Sequence, residues 1–152
     1  MNLTETCQAL VFKIADRHWA LPQTAIVRVT SAAAIEINPS SQGQLVLLNN
    51  IPLTLLPLDR LLSTALTNEH GNSSPSAANP FLVVTRHARN PVAIAVKEPP
   101  LLIDLHLNQV QMIPPLHRSQ IHNIAQYMAL VDHLDQTLSI FLLDLKQAMK
   151  LG

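Results

Sequence analysis

The sequence predicts a mainly β fold made of two small barrels packed against each other. A pattern of strand, turn, strand and short helix occurs once in each half of the chain, at 45–62 and at 128–146. Many short apolar runs are separated by turn residues at close spacing, and helical spacing occurs only where hairpins end. These observations favour two small sheet units over one large parallel sheet.

Composition limits the classes to which the protein can belong. The chain has 152 residues, of which 48% are hydrophobic and 13% charged. A chain of this length buries roughly 70% of the surface of its unfolded form, which is enough for a stable monomer. No apolar run approaches the roughly 18 residues of a membrane span, so we expect no direct membrane insertion. The excess of apolar residues requires packing partners.

Charge and the N-terminal residues exclude two further classes. Lysine plus arginine equals aspartate plus glutamate at ten each, and the basic residues form no cluster, so we expect no nucleic-acid partner. The first residues lack a basic segment followed by an apolar one, which predicts a cytoplasmic protein without a secretory signal. The single cysteine, Cys7, is expected to be a tail or packing residue.

The first half of the chain shows four segments. Apolar alternation at 10–14 and its return at 19–21 predict a hairpin with a polar turn, and the β-branched run at 25–30 predicts a third strand. Residues 32–42 contain Asn-Pro-Ser-Ser and are predicted to form a loop. The 67–79 stretch is too polar to pack, and we expect a mobile loop there that divides the two halves.

Between these segments, Asn49 and Asn50 lie between two apolar runs and predict a tight turn, because asparagine tolerates positive φ. Pro57 suits a first helical turn. Leucines at helical spacing then predict a short helix, and they are Leu58, Leu61, Leu62 and Leu66.

The second half repeats the hairpin pattern. Apolar runs at 81–84 and 92–96 flank a turn, and a further strand is expected at 101–103. A helix is predicted after Ser119 as N-cap, on the spacing of Ile121, Ile124, Ala125 and Met128. A final strand is expected at 138–142, followed by a terminal helix at 144–150.

No catalytic or metal-binding arrangement is predicted. The seven histidines are scattered, and none forms a pair four residues apart as in a zinc-binding helix. The three glycines form neither a nucleophile elbow nor a phosphate-binding loop. The polar groups around His106 and His133 fall in predicted turns. We therefore expect no enzyme, no metal and no cofactor.

The strands are apolar on both faces. Leu53 and Leu55 lie on one face of their strand and Leu56 on the other, and the run at 45–48 is apolar at every position. A small barrel needs only an apolar inner face, so the outer residues must face the other barrel or a partner protein.

The succession of apolar segments at 10–29, 48–62, 81–96 and 127–145 resembles the CheW-like domain of bacterial chemotaxis, phototaxis and pilus-motility systems. The resemblance covers residues 9–149. The family's second hairpin reads Asn-Leu-Arg-Gly, three variable residues, Pro, two apolar residues and Asp-Leu. In this chain the two leucines match as Leu48 and Leu58.

Other positions of that motif differ from the family pattern. The arginine and glycine positions are Asn49 and Asn50, the proline position is Thr54 and the aspartate position is Pro57. The C-terminal hairpin, which ends Asp-Leu at 144–145, fits the family pattern. The 92–96 strand continues into Lys-Glu where the family usually has aspartate.

The resemblance implies one CheW-like domain over residues 1–152, with two five-stranded SH3-like barrels divided near 67–79. It also implies a non-enzymatic adaptor that couples a chemoreceptor cytoplasmic tip to the regulatory domain of a CheA-like histidine kinase. The implied receptor groove consists of Leu10, Ile26, Val29 and Pro99. The implied kinase-binding edge consists of Leu48, Asn49 and Asn50.

Two other functions remain open at this stage. One alternative is a divergent adaptor of another two-component pathway. The absence of the family's arginine at position 49 favours this alternative. The other alternative is a β-barrel that holds a small lipophilic ligand. This function would require an internal cavity.

Overall fold

A computed structural model describes residues 6–31, 36–40, 43–48, 51–56, 58, 62, 81–87 and 90–151. The predicted Asn49–Asn50 turn and the predicted mobile loop at 67–79 lie outside these residues. Of the predicted helix at 57–66, the structure describes Leu58 and Leu62, and both are helical.

Short strands dominate the described residues. They are β1 (Thr6–Ile14), β2 (Arg17–Pro22), β3 (Ile26–Ser31), β4 (Glu36–Ser40), β5 (Gly43–Leu48), β6 (Ile51–Leu55), β7 (Phe81–His87), β8 (Asn90–Val96), β9 (Leu101–His106), β10 (Val110–Met112), β11 (Ala125–His133) and β12 (Gln136–Leu143). The helices are the 3-10 turns η1 (Gln23–Ala25) and η2 (Leu107–Gln109) and the short α-helices α1 (Pro115–Gln120) and α2 (Leu145–Leu151).

The strands form two six-stranded sheets of the same design. Sheet A has the order β10-β11-β12-β2-β1-β9, and sheet B has the order β3-β7-β8-β6-β5-β4. In each sheet two antiparallel three-stranded ribbons are joined by one parallel pair, β12 with β2 in sheet A and β6 with β8 in sheet B. The mainly β fold class with two SH3-like subdomains is confirmed.

The two sheets are topologically equivalent when sheet B is listed from its other edge. The order β4-β5-β6-β8-β7-β3 then matches β10-β11-β12-β2-β1-β9 strand by strand, including the position of the parallel pair. The sequence repeat follows this equivalence, because 45–62 supplies the β5–β6 hairpin and 128–146 supplies most of the β11–β12 hairpin. Each repeat therefore occupies the same place in its own sheet.

The chain passes between the sheets at positions other than the predicted one. Strands β1, β2 and β9 to β12 belong to sheet A, and β3 to β8 belong to sheet B. The chain thus enters sheet B through η1 and returns to sheet A between β8 and β9. Both strands that flank 67–79, β6 and β7, lie in sheet B, so the polar stretch joins strands of one sheet and does not divide the subdomains.

Each sheet has six strands where five were expected, because two short edge strands gave weak sequence signals. Strand β4 falls inside the predicted loop at 32–42; its Pro39 is compatible with an edge strand, where one side of the backbone needs no ladder partner. Strand β10 has three residues and pairs with β11 alone. It follows β9 after the single turn η2.

Three tight turns of the described chain each contain two successive non-glycine residues with positive φ. Ala15 and Asp16 have φ of 54° and 63° and connect β1 to β2, and Leu134 and Asp135 have φ of 50° and 64° and connect β11 to β12. Two-residue loops of this kind are type I′ turns, whose twist matches that of the flanking strands.

The third such turn corrects the predicted helix after Ser119. His122 and Asn123 both have φ of 57°, which ends the helical region, and the following residues form strand β11. The α-helix precedes this turn as α1. Ser119 is therefore not an N-cap, and its hydroxyl donates to the Leu116 carbonyl oxygen at 2.7 Å.

The apolar faces of the strands divide among three clusters. The side chains of Ala9 and Val11 in β1 pack in the interior that sheet A encloses. Those of Phe12 and Ile14 in the same strand lie on its opposite face and pack against sheet B. Leu53 and Leu55 lie in the interior of sheet B and Leu56 lies between the sheets, as the sequence pattern predicted. The inter-sheet core contains Phe12, Ile14, Trp19, Leu21, Leu56, Leu58, Val83, Val92, Ile94, Val96, Ile113, Ile121, Ile124, Ala125, Leu143, Leu145 and Ala148.

Trp19 is the largest fully buried side chain of this inter-sheet core. Its Nε1–H donates to the Ile14 carbonyl oxygen at 3.3 Å, and its ring lies 5.2 Å from that of Phe141 between centroids. The hydrogen bond satisfies the one polar group of the indole, so burial carries no desolvation penalty for an unpaired donor.

The terminal helix closes the inter-sheet core, and it begins at Leu145 close to the predicted start. The Asp144 Oδ1 accepts from the Gln147 N–H at 3.3 Å, which caps the helix, and the Asp144 N–H donates to the Ile124 carbonyl oxygen at 2.8 Å. Leu145 and Ala148 then bury their side chains in the inter-sheet core. The Leu58–Leu62 pair after β6 contacts the same cluster.

Replacing the buried tryptophan tests the inter-sheet core. Trp19→Ala should lower the free energy of unfolding by about 3–5 kcal/mol, because it leaves a cavity between the sheets. Urea denaturation followed by circular dichroism measures this, since the variant has no other tryptophan for fluorescence. Leu116→Ala, at a position 71% exposed, is the control and should change stability by no more than about 0.5 kcal/mol.

The β1–β2 turn predicts a stabilising substitution. Ala15 holds a left-handed conformation that alanine disfavours and asparagine tolerates, so Ala15→Asn should raise the free energy of unfolding by about 0.5–1 kcal/mol. The same urea titration measures the change. A decrease in stability would mean that the turn does not hold this conformation in solution.

Candidate functional site

An apolar strip of sheet A continues from the inter-sheet core to the surface. Leu10 of β1 lies directly opposite Leu21 of β2 on one side and Leu102 of β9 on the other. Opposed residues of neighbouring strands share a face, so all three face sheet B. Leu21 is buried, Leu10 is half-buried and Leu102 is 51% exposed. The strip thus reaches solvent at the β9 edge.

Sheet B has a matching exposed position at its own edge. Val29 of β3 lies directly opposite Val83 of β7, and Val83 is buried in the inter-sheet core. Val29 therefore lies on the face that turns toward sheet A, yet it is 40% exposed. Strands β3 and β9 occupy equivalent edges of the two sheets. We call Leu10, Leu102 and Val29 the apolar rim.

The predicted receptor-groove residues occupy different environments. Leu10 and Ile26 are half-buried and pack against the inter-sheet core, whereas Val29 and Pro99 are exposed. Ile26 and Val29 lie on one strand, β3, and Pro99 precedes β9, whose Leu102 pairs with Leu10. That these four residues form one receptor-binding site stays a prediction.

Two exposed residues of this region were missed by the sequence reasoning. Leu101 and Leu102 are 49% and 51% exposed and begin β9 directly after the Pro99–Pro100 pair. The run at 101–103 predicted a strand, but nothing in the run distinguishes exposed leucines from core leucines. Its position as an edge strand follows from the sheet order alone.

The predicted kinase-binding edge is described only in part. Leu48 is the last residue of β5 and pairs with Ile51 of β6. Asn49 and Asn50 fall between these paired residues and lie outside the described part of the chain. Their assignment to a kinase-binding edge therefore stays a prediction.

One surface ion pair lies beside the segment between β8 and β9. Lys13 Nζ lies 3.7 Å from Glu98 Oε2, and both side chains are substantially exposed. A surface pair of this kind contributes about 0–1 kcal/mol and is screened by salt.

Side chains that could ligate a metal are dispersed over the described residues. Among them, no group of three or more histidine, cysteine, aspartate or glutamate side chains is placed to hold a metal ion. Cys7 is exposed at the start of β1. None of the helices described here is long and apolar enough to cross a membrane.

Apolar side chains pack in the interior of each sheet. Inside sheet A lie Ala9, Val11, Ala20, Leu105, Ala129, Val131 and Ile140, and inside sheet B lie Leu53, Leu55, Leu82, Val84 and Ala93. The cavity that a lipophilic-ligand barrel requires would have to replace these packed residues. This part of the chain therefore gives no support to that alternative.

The chain matches a known protein family and resembles a solved structure. A family model described as the CheW-like domain matches residues 8–151. The scaffolding protein TtCheW from Thermoanaerobacter tengcongensis has a similar crystal structure, with a TM-score of 0.65 and 14% sequence identity over 90% of this chain and 84% of that one. Comparison with curated proteins gives no sequence match.

The different burial of Val29 and Val83 predicts different effects of the same substitution. Val29→Asp should leave the fold intact, because the carboxylate can reach solvent at this edge position. Val83→Asp, one strand away on the same face, should unfold the protein, because it buries an unpaired charge. Circular dichroism melting curves of the two variants check this. Equal destabilisation would contradict the exposure of Val29.

Proposed function

Since the chain belongs to the CheW-like domain family, whose members are non-enzymatic scaffold or adaptor proteins of chemotaxis, we propose that it couples a chemoreceptor to a CheA-like histidine kinase. In this proposal the protein is cytoplasmic and carries out no reaction. It contacts the receptor cytoplasmic tip with one surface and the kinase regulatory domain with another. Signal passes through these contacts.

The apolar rim is the observation that carries the receptor half of the proposal. Leu10, Leu102 and Val29 lie on faces that elsewhere bury the inter-sheet core, yet they remain partly exposed. A receptor tip is a helical hairpin, and a helix presents apolar residues at positions i, i+3, i+4 and i+7. Such a stripe would cover the rim and bury its exposed area.

The remaining predicted groove residues fit the same mode of binding. Ile26 lies on β3, the strand that carries Val29, and Pro99 stands two residues before β9. With four or five apolar anchors, truncation of each would weaken binding by about 1–3 kcal/mol.

The kinase half of the proposal rests on Leu48, Asn49 and Asn50 at the β5–β6 hairpin. The family's motif has arginine where this chain has Asn49. An arginine can hold a carboxylate through two parallel hydrogen bonds, and asparagine supplies only a neutral amide. We infer that the kinase contact of this chain is weaker than that of a family member with the arginine.

A second candidate follows from the same substitution. If the kinase contact has changed, the chain serves as an adaptor of another two-component pathway and retains the fold without the usual receptor. The Asn49–Asn50 pair in place of Arg-Gly is the observation that favours this candidate. A kinase recovered with the protein in the absence of receptors would support it.

Titration calorimetry against a receptor-tip helical hairpin tests the receptor half. Micromolar binding by the wild type should be abolished in Val29→Asp, because the carboxylate would be desolvated against an apolar helix face. Leu134→Asn, which alters an exposed leucine at a distant hairpin, is the matched control and should bind normally. Normal binding by folded Val29→Asp would remove Val29 from the site.

Titration against the isolated kinase regulatory domain tests the kinase half. Asn49→Arg should tighten binding by about tenfold, since a charge-assisted bidentate contact replaces a neutral one. Asn49→Lys is the control, because it adds the charge without the planar fork. If both variants bind like the wild type, position 49 makes no contact with the kinase.

A further inference from the structure

Strand β3 contains an irregularity in its pairing with β7. Ile26 lies opposite Thr85, and the next paired residue, Arg28, lies opposite Val84. Strand β3 thus advances by two residues where β7 advances by one. This arrangement is a β-bulge with Val27 as the extra residue, and bulges re-aim the side chains beside them. The bulge directly precedes the part of β3 that belongs to the apolar rim.

The bulge places Ile26 and Val29 on one face of sheet B. Residues three positions apart in a regular strand lie on opposite faces. Here Ile26 lies opposite Thr85 of β7. Val29 lies opposite Val83, which is two positions from Thr85 and on the same face. That face meets the inter-sheet core, because Val83 is buried there and Ile26 packs against it.

The bulge also separates Ile26 from Arg28. These residues are two positions apart and would share a face in a regular strand. Arg28 instead lies opposite Val84, which packs in the interior of sheet B. Arg28 is exposed, and it lies on the opposite face of the strand from Ile26. The faces that Ile26 and Arg28 occupy therefore distinguish a bulged β3 from a regular one.

The equivalent edge of sheet A has regular pairing. Strand β9 pairs with β1 at six successive positions in unbroken register. Leu102 lies opposite Leu10 there, as Val29 lies opposite Val83 in sheet B. The two edge strands thus each contribute one matching residue to the apolar rim. Ile26 extends the rim along β3 alone.

The spacing of Ile26 and Val29 fits an α-helix that lies along β3. Their partners on β7 are two positions apart, so the two residues are roughly 6.8 Å apart along the strand at about 3.4 Å per residue. An α-helix rises about 1.5 Å per residue, so side chains at positions i and i+4 share a face and lie about 6.0 Å apart along the axis. A helix that crossed the strand would cover one of the two residues.

We propose that the bulge at Val27 is a positioning element of the receptor site. It turns Ile26 onto the face of Val29 and so provides two apolar anchors in line. One helix of the receptor tip lies along β3 and covers both anchors with side chains four residues apart. This role rests on the receptor binding proposed above and adds the direction in which the helix lies.

Thiol labelling tests which residues of β3 the helix covers. Single cysteines are introduced in a Cys7→Ser chain, because Cys7 is exposed. With a receptor-tip hairpin at about ten times its dissociation constant, labelling of Ile26→Cys and Val29→Cys should slow about tenfold. Labelling of Arg28→Cys should change by less than about twofold, because its side chain lies on the other face.

The matched control for the labelling is Leu130→Cys in the same Cys7→Ser chain. Leu130 lies on β11 and is 41% exposed, close to the 40% of Val29. Its labelling should be the same with and without the hairpin. Circular dichroism of each variant establishes that it is folded before labelling.

Disulfide cross-linking tests the direction of the helix. Hairpins that carry one cysteine each, at successive positions along one helix, are mixed with Ile26→Cys or Val29→Cys. The two variants should cross-link fastest to hairpin positions four residues apart, as the helical rise requires. Fastest cross-linking of both variants to the same hairpin position would mean that the helix crosses β3, and it would overturn the proposed direction.

The labelling distinguishes failure of this role from failure of the proposed function. Equal slowing at Ile26→Cys and Arg28→Cys, or slowing at Val29→Cys alone, would overturn the role of the bulge and leave receptor binding in place. If the unmodified chain does not bind the hairpin in calorimetry, receptor binding and the role of the bulge fail together.

Discussion

The burial of both faces of the central strands is the constraint on which this structure depends. In β1, successive residues alternate between the interior of sheet A and the inter-sheet core, so Val11 and Phe12 are both almost inaccessible. Neither sheet could leave its outer face in water, because that face carries Trp19 and its neighbours in sheet A and Val83 and Ile94 in sheet B. The two sheets therefore fold as one packed unit, and α2 after β12 and the helical residues Leu58 and Leu62 after β6 contribute to the same core.

The equivalence of the two sheets explains where apolar surface remains. Packing face to face covers the middle of each sheet, and the edge strands β3 and β9 extend beyond the covered area. Val29 and Leu102 hold corresponding edges and are the residues through which the apolar faces reach solvent. The apolar rim thus arises at the edges where the inter-sheet core ends.

Much of this fold could be predicted from the sequence because its hairpins are marked by alternation and turn residues. The repeat at 45–62 and 128–146, the β1–β2 hairpin and the two-faced burial of 53–56 are all present in the structure. The helix predicted after Ser119 is absent because the left-handed His122 and Asn123 end the helical region, and spacing alone does not show backbone handedness. Strand β4 and the exposure of Leu102 depend on strand order, which local pattern does not encode. For the candidate site, the sequence shows that the residues of the apolar rim are apolar, but it does not show which of them are exposed to solvent.

Hydrogen–deuterium exchange of the protein with and without a receptor-tip helical hairpin tests the central claim most directly. The account predicts that the hairpin slows exchange of backbone amides in β3 and β9 and in the segment between β8 and β9, where the apolar rim reaches solvent. Exchange in the β11–β12 turn, at Leu134 and Asp135, should not change. Protection confined to other strands, or no protection at saturating hairpin, would contradict the assignment of the apolar rim as a receptor-binding surface.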